Sequence, residues 1–154
     1  MSTDRPAAAA PDPREIFSSR LLDWPPAQVF QACAQPERLA RWWGPSGFRS
    51  SFHAFDFRPG GDWRFTMHGP DGTDYPNHNR FVEIQAPERI VIEHLAQPHH
   101  FVLTLTLEAE GQDQTRLGFR QRFDDAAERE RVAAFAIPAN EQNLDRLQAE
   151  LARN

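Results

Sequence analysis

The sequence predicts an α+β fold, in which a curved antiparallel sheet of about seven strands wraps around one long C-terminal helix and two short helices lie between the first and second strands. Three observations predict it. Aromatics alternate at Phe55, Phe57, Trp63 and Phe65 around a Pro59-Gly60-Gly61 break, the pattern of two strands joined by a turn. Further alternating runs, Phe101/Leu103/Leu105/Leu107 and Leu117/Phe119/Gln121/Phe123, are separated by short turn segments, so successive strands are antiparallel neighbours. The last stretch, about residues 125–152, is the one helical pattern long enough to cover the sheet's apolar face.

The elements follow in order. Residues 1–13 hold Ala, Pro and Asp without periodicity and read as a disordered leader, which leaves 14–154 as a single domain. A first strand runs from Glu15 to Asp23, and Trp24-Pro25-Pro26 ends it. The two prolines suit the first turn of a helix over 26–34, with Val29, Phe30 and Cys33 on its apolar side. Pro36-Glu37 starts a second short helix, striped by Leu39, Trp42 and Trp43 and stopped by Gly44-Pro45-Ser46-Gly47. Strands are then expected near 49–58, 62–69, 76–86, 89–96, 99–110 and 114–123. Asp124-Asp125 cap the last helix, whose apolar stripe reads as Val132, Phe135, Ala136, Ala139, Leu144, Leu147 and Leu151. Pro138 inside it predicts a kink, because proline removes a helical hydrogen bond.

Composition narrows the function. The chain has 154 residues, 40% of them hydrophobic and 25% charged, as expected of a globular protein. A net charge of −5 argues against a general nucleic-acid or anionic-membrane binder. All 17 basic residues are arginine, so no lysine can form a Schiff base. The single cysteine, Cys33, allows no intrachain disulfide and reads as a small buried hydrophobe. No membrane span and no signal-peptide pattern is visible, and a cytoplasmic location is the default expectation. The six histidines lack the spacing of a zinc site, and neither a metal nor another cofactor is expected.

Several segments together resemble a known family. Pro25-Pro26-Ala27-Gln28-Val29-Phe30 looks like its first-helix opening, and Pro36 through Pro45 is similar to its second helix with a Trp-Gly-Pro stop. Phe55 through Gly61 matches its hairpin, Ala86-Pro87-Glu88-Arg89-Ile90-Val91 its fourth turn, and Asn143-Leu144-Asp145-Arg146-Leu147 its helix end. The chain resembles the SRPBCC superfamily, the START-like or birch-pollen-allergen-like helix-grip fold. Within it, the likeness is to homologues of the activator of a heat-shock-protein ATPase (AHSA-like proteins), over about residues 15–152. The resemblance implies a cavity between sheet and last helix. Members commonly show Gly-Trp where Ala139-Asn140 stands, and often an aromatic where His94 stands.

The expected ligand site therefore comprises Trp43, Phe57, Trp63, Phe65, His94, Phe101, Leu103, Phe119, Gln121, Phe135 and Asn140, with Trp42, Met67 and Ala136 beside them. It would hold a hydrophobic or aromatic small molecule, mostly apolar walls carrying a few polar anchors; a filled core is the competing reading. His94 is the acid–base candidate, since an imidazole in apolar surroundings stays neutral at pH 7. Cyclase-like or hydrolytic catalysis, which superfamily relatives imply, and stimulation of a chaperone ATPase are the alternatives. Asp71, Asp74, Tyr75 and His78 at the third hairpin read as a solvated tip rather than an acid–base cluster. No serine lies in a nucleophile elbow. The expected assembly is a monomer or homodimer, without nucleic acid or membrane as partner.

Overall fold

The computed structural model describes residues 12–96 and 99–153. Of the leader expected over 1–13, residues 1–11 lie outside that range; Asp12 accepts hydrogen bonds from the backbone and guanidinium of Arg14 as the chain enters the first strand. The order is β1 (Glu15–Leu22), α1 (Pro26–Ala34), α2 (Pro36–Trp42), β2 (Arg49–Phe55), β3 (Asp62–His68), β4 (Asp74–Gln85), β5 (Arg89–His94), β6 (Phe101–Glu110), β7 (Gln114–Phe123) and α3 (Ala126–Arg153). No described helix is long and apolar enough to cross a membrane.

All seven strands form one antiparallel sheet in the order β1-β7-β6-β5-β4-β3-β2. The turns join neighbours from β2 to β7. The two short helices carry the chain from one edge strand, β1, to the other, β2. Pro26 and Pro36 occupy first-turn positions of α1 and α2, where a missing N–H costs nothing. Asp125 caps α3 by accepting the Glu128 N–H at 2.8 Å. The helix continues unbroken through Pro138.

Two local readings change. The 55–65 hairpin is longer-looped than a tight turn: β2 ends at Phe55, paired to Trp63, and residues 56–61 fold back toward β4. Gly60 N–H donates to the Phe81 carbonyl at 2.7 Å, and Phe81 N–H to the Gly61 carbonyl at 3.0 Å. A Cβ on Gly61 would stand 2.0 Å from the Asp56 carbonyl oxygen, so only glycine fits there. The Asp56–Arg58 pair braces this loop at 2.8 Å. Second, β6 begins at Phe101, so His99 and His100 belong to the connection before it. They reach different partners, His99 toward Glu128 and His100 toward Glu93 and Asp124.

Helix α3 lies over β1 and β7 and against α1 and α2, and its backbone does not approach β3–β6. Its buried face is Ala133, Ala136, Asn140, Asn143, Leu144, Leu147, Glu150 and Leu151, a spacing of three and four residues. The space between β3–β6 and the helices is spanned by large side chains instead. Trp63 and Phe65 rise from β3, Phe81 from β4 and Phe119 from β7, and Trp42 and Trp43 descend from the end of α2. Their rings meet edge-to-face or offset, with centroids 5.0 Å apart for Trp43–Trp63 and 4.7 Å for Trp63–Phe65.

Side chains of α3 lock α2 in place. Asn143 donates from Nδ2 to the Trp42 carbonyl at 2.7 Å and accepts the Gly44 N–H at 3.3 Å. The Arg146 guanidinium donates to the carbonyls of Arg41, Trp43, Gly44 and Pro45. Glu150, only 3% exposed, receives Arg38 at 3.0 Å and Arg41 at 2.8 Å. Hydrogen bonds from Arg41 above all hold its carboxyl below the usual range, against the opposing effect of burial.

Candidate functional site

The register of β3–β7 assembles the candidate site in rows across the inner face. One row runs Trp63, Asn79, His94, Phe101, Phe123. The next runs Phe81, Ile92, Leu103, Gln121, Ile16. A third carries Ile84, Ile90, Leu105 and Phe119. Period-2 alternation fixes the members on β5, β6 and β7, and a register shift between Phe81 and Glu83 lets Phe81 and Ile84, three residues apart on β4, share that face.

Two polar pairs sit within this apolar surface. His94 is half-buried, stacks on Phe101 at 4.6 Å between ring centroids, and places Nδ1 2.9 Å from the Asn79 side-chain oxygen. Burial, aided by the nearby His100, His99 and His78, lowers its pKa from 6.5 to about 4. It is therefore neutral at pH 7, with Nδ1–H donating to Asn79 and the Nε2 lone pair left over. The second pair is Asn140 on α3, whose Nδ2 donates to Gln121 Oε1 at 2.7 Å. The Gln121 amide nitrogen makes no hydrogen bond among the described residues. An acceptor and a donor without a partner among the described residues are thus left on the inner face of the sheet.

The expected residues do not all converge. Trp63, Phe65, Leu103 and Phe119 belong to one apolar cluster, and Trp43, Phe57 and Phe101 pack against it. Trp63 is wholly buried, 0% exposed, so rings abut it on every side and leave no water-sized gap. Its Nε1–H has no hydrogen-bond partner among the described residues. The accessible part of the inner face is at Trp43, Met67, His94 and Phe101, each partly buried. Phe135 stands apart, 68% exposed on the outer side of α3. It is one residue from Ala136, hence about 100° around the helix from the buried stripe.

Sequence reasoning missed Asn79, buried opposite His94; its signal was position alone, two residues before Phe81 on the same face of β4. The third-hairpin residues do not gather. Asp71 accepts the Thr73 N–H within its own turn, His78 pairs with Asp62, and Tyr75 lies at the surface near Phe48. Cys33 is buried and its thiol is pushed up to about 12, so it offers no thiolate. Among the described residues, no three of His, Cys, Asp and Glu are placed to share a metal ion. An open groove of about 690 Å³ crosses the outer face beside Phe17, Arg89, Thr104, Arg120 and Arg122. Much of its charge is already satisfied: Arg120 pairs with Glu15 and covers the Phe17 ring, and Arg89 pairs with Glu83.

A seven-stranded antiparallel sheet closed by a long C-terminal helix, with two short helices after the first strand, defines an α+β protein of the helix-grip class. The family model described as "Activator of Hsp90 ATPase homolog 1-like protein" matches residues 23–152, and the chain belongs to that family. Solved structures share its fold at low identity. A protein from Arthrobacter aurescens superposes with a TM-score of 0.84 at 21% identity, over 99% of this chain and 92% of that one. One from Nitrosomonas europaea gives 0.83 at 21% identity, over 94% and 99%. An AHSA1 protein from Silicibacter pomeroyi gives 0.75 at 20% identity, over 90% and 97%. No curated protein matches the chain.

Proposed function

We propose that this protein binds a hydrophobic or aromatic small molecule carrying a hydroxyl or carbonyl group, between the inner face of the sheet and α3. The observation that carries the reading is the pair of unspent polar groups, His94 Nε2 and Gln121 Nε2, on an otherwise apolar and aromatic inner face. An apolar wall supplies the affinity, and a few fixed polar atoms set orientation. Membership of a family whose fold typically binds hydrophobic ligands supports this reading. The bound molecule would enter at the accessible surface of Trp43, His94 and Phe101 and displace side chains that now touch one another.

Trp43 reports occupancy. Titrating the full chain with hydroxylated aromatic probes such as naphthol should quench tryptophan fluorescence saturably, with dissociation constants of about 1–100 μM, a range that spans about −8 to −5 kcal/mol. His94→Phe and Gln121→Leu should each weaken binding by roughly tenfold, the loss of about one net hydrogen bond. Quenching that is linear and never saturates, or that is unchanged in both variants, would overturn the proposal.

A second reading rests on the fixed tautomer of His94. Neutral at pH 7, with Nδ1–H committed to Asn79, its Nε2 lone pair can orient a bound hydroxyl and, as the weak base that a pKa of about 4 makes it, take a proton from an acidic group. Turnover abolished in His94→Gln while probe binding persists would favour this reading.

A further inference from the structure

The outer face of the sheet, opposite the inner site, carries a second constellation. Ser51 lies on β2, His68 on β3 and Asp74 on β4. The strand register places His68 directly across from Asp74 on one side and Arg49 on the other, with Ser51 two residues along from Arg49 on the same face. Ser51 Oγ is 2.7 Å from His68 Nε2, and Asp74 Oδ1 is 2.8 Å from His68 Nδ1. We propose that Ser51, His68 and Asp74 form a nucleophilic acyl-transfer site that hydrolyses small carboxylic esters.

The argument is one of atom order. Asp74 accepts the Nδ1–H of His68 and so fixes the tautomer whose Nε2 carries the lone pair. Ser51 then donates its hydroxyl proton to that lone pair, which is the polarity a general base needs to activate a serine. Neighbouring pairs on the same face are incomplete. His53 bonds Thr66 without a carboxylate, and His78 bonds Asp62 without a hydroxyl. Arg49, across from His68, makes no ion pair or side-chain hydrogen bond among the described residues, so its charge is available to a developing oxyanion. β2 is also an edge strand, paired only with β3, so the N–H groups on its open side have no strand partner. A register irregularity between Phe52 and Ala54 falls beside Ser51, the setting in which bulges re-aim strand residues.

The steps balance. Ser51 Oγ bonds to the ester carbonyl carbon while its proton passes to His68 Nε2, and the carbonyl electron pair moves onto oxygen. Collapse of the tetrahedral intermediate breaks the C–O bond, and the leaving alkoxide takes the proton from His68. Water then attacks the acyl-serine, giving one proton to His68. That proton returns to Ser51 Oγ as the carboxylic acid departs. The net change is ester plus water to acid plus alcohol. His68 is 22% exposed and Asp74 62% exposed along their side chains, so the site is open. It therefore suits short, unhindered, reactive esters rather than long chains that need an enclosing pocket.

The test uses the full chain with a fluorophosphonate probe and with p-nitrophenyl acetate. The probe should attach once per chain, at Ser51 by peptide mass spectrometry, and a variant His68→Gln should abolish the attachment. Exposed imidazoles cleave p-nitrophenyl acetate slowly on their own, so the quantity read is the difference from Ser51→Ala. Wild type should exceed Ser51→Ala, and His68→Gln should reduce that difference by ~100-fold or more and Asp74→Asn by ~10-fold or more, as for triad members acting as a unit. No attachment, attachment at another serine, or equal hydrolysis by wild type and Ser51→Ala would overturn the proposal. Should a variant fail to fold, labelling of the unaltered protein decides the matter alone. Saturating the inner face with naphthol should not protect Ser51, which separates this site from the one proposed above.

Discussion

His94 shows how one side chain's surroundings reach into the stability of the whole chain. Its folded pKa is lowered to about 4 from 6.5, by burial first and by neighbouring histidines second. Below pH 6.5 the unfolded chain takes up a proton that the folded chain refuses. His94 therefore contributes stability fully above pH 6.5, and that stability drains away as pH falls toward 4. The gap corresponds to roughly 3 kcal/mol in total, and about 2 kcal/mol of it is lost between pH 7 and 5. His100 works in the opposite sense, since Glu93 and Asp124 raise its pKa; its stabilisation is present below the unfolded value and lost above the folded one. Subtracting a variant isolates His94. Urea unfolding of His94→Phe should lose about 2 kcal/mol less than wild type on going from pH 7 to pH 5. Equal losses would mean that the imidazole is hydrated in the fold and titrates as it does in the open chain.

At the scale of elements, two sequence segments a hundred positions apart explain one another. Trp42-Trp43-Gly44-Pro45 ends α2, and Asn143 through Leu147 lies along α3. Each was visible as a pattern, but no periodicity joins them. The structure does, because the carbonyls orphaned at the end of α2 need donors and find them in Asn143 and Arg146. Gly44, at φ +103°, makes the turn that brings those carbonyls round, and a Cβ there would meet Met67 at 2.7 Å. Burial lowers the Arg146 pKa from its ordinary value. A lysine has one point of charge where arginine has a fork, and it cannot serve four carbonyls. Arg146→Lys should cost about 2 kcal/mol in urea unfolding at pH 7, the worth of about one charged hydrogen bond. A cost within ~0.5 kcal/mol of zero would show that water caps α2 equally well.

For the molecule as a whole, the alternating strands and the turns between them were legible, because burial of one face forces period 2 and short turns force antiparallel neighbours. The inward parity of His94, the Asn140 position and the cap at Asp125 could likewise be placed from pattern. What could not be read were contacts set by register and packing: Asn79 beneath His94, Glu150 between two arginines, Ser51 beside His68, and the outward turn of Phe135. A helix's buried stripe depends on which neighbour it meets, and hydropathy alone assigned Phe135 to the wrong side. The same packing logic governs the frame. Since α3 stays clear of β3–β6, rings hold sheet and helices apart, and Trp63 is the central one, ringed by Trp43, Phe52, Phe55, Phe65 and Phe81 at 4.7–5.9 Å. Trp63→Ala should cost about 3–5 kcal/mol, as large-to-small core changes do. The frame fixed by the α2–α3 lock and the curved sheet should resist collapse and leave a dry, apolar hole that fits the missing ring. Added indole should then raise the thermal midpoint of Trp63→Ala while leaving wild type unchanged, with a gain that grows as the logarithm of indole concentration above its dissociation constant. If indole has no effect on the variant, the helices have closed onto the sheet, and the aromatic rings rather than the α2–α3 lock set the spacing of the fold.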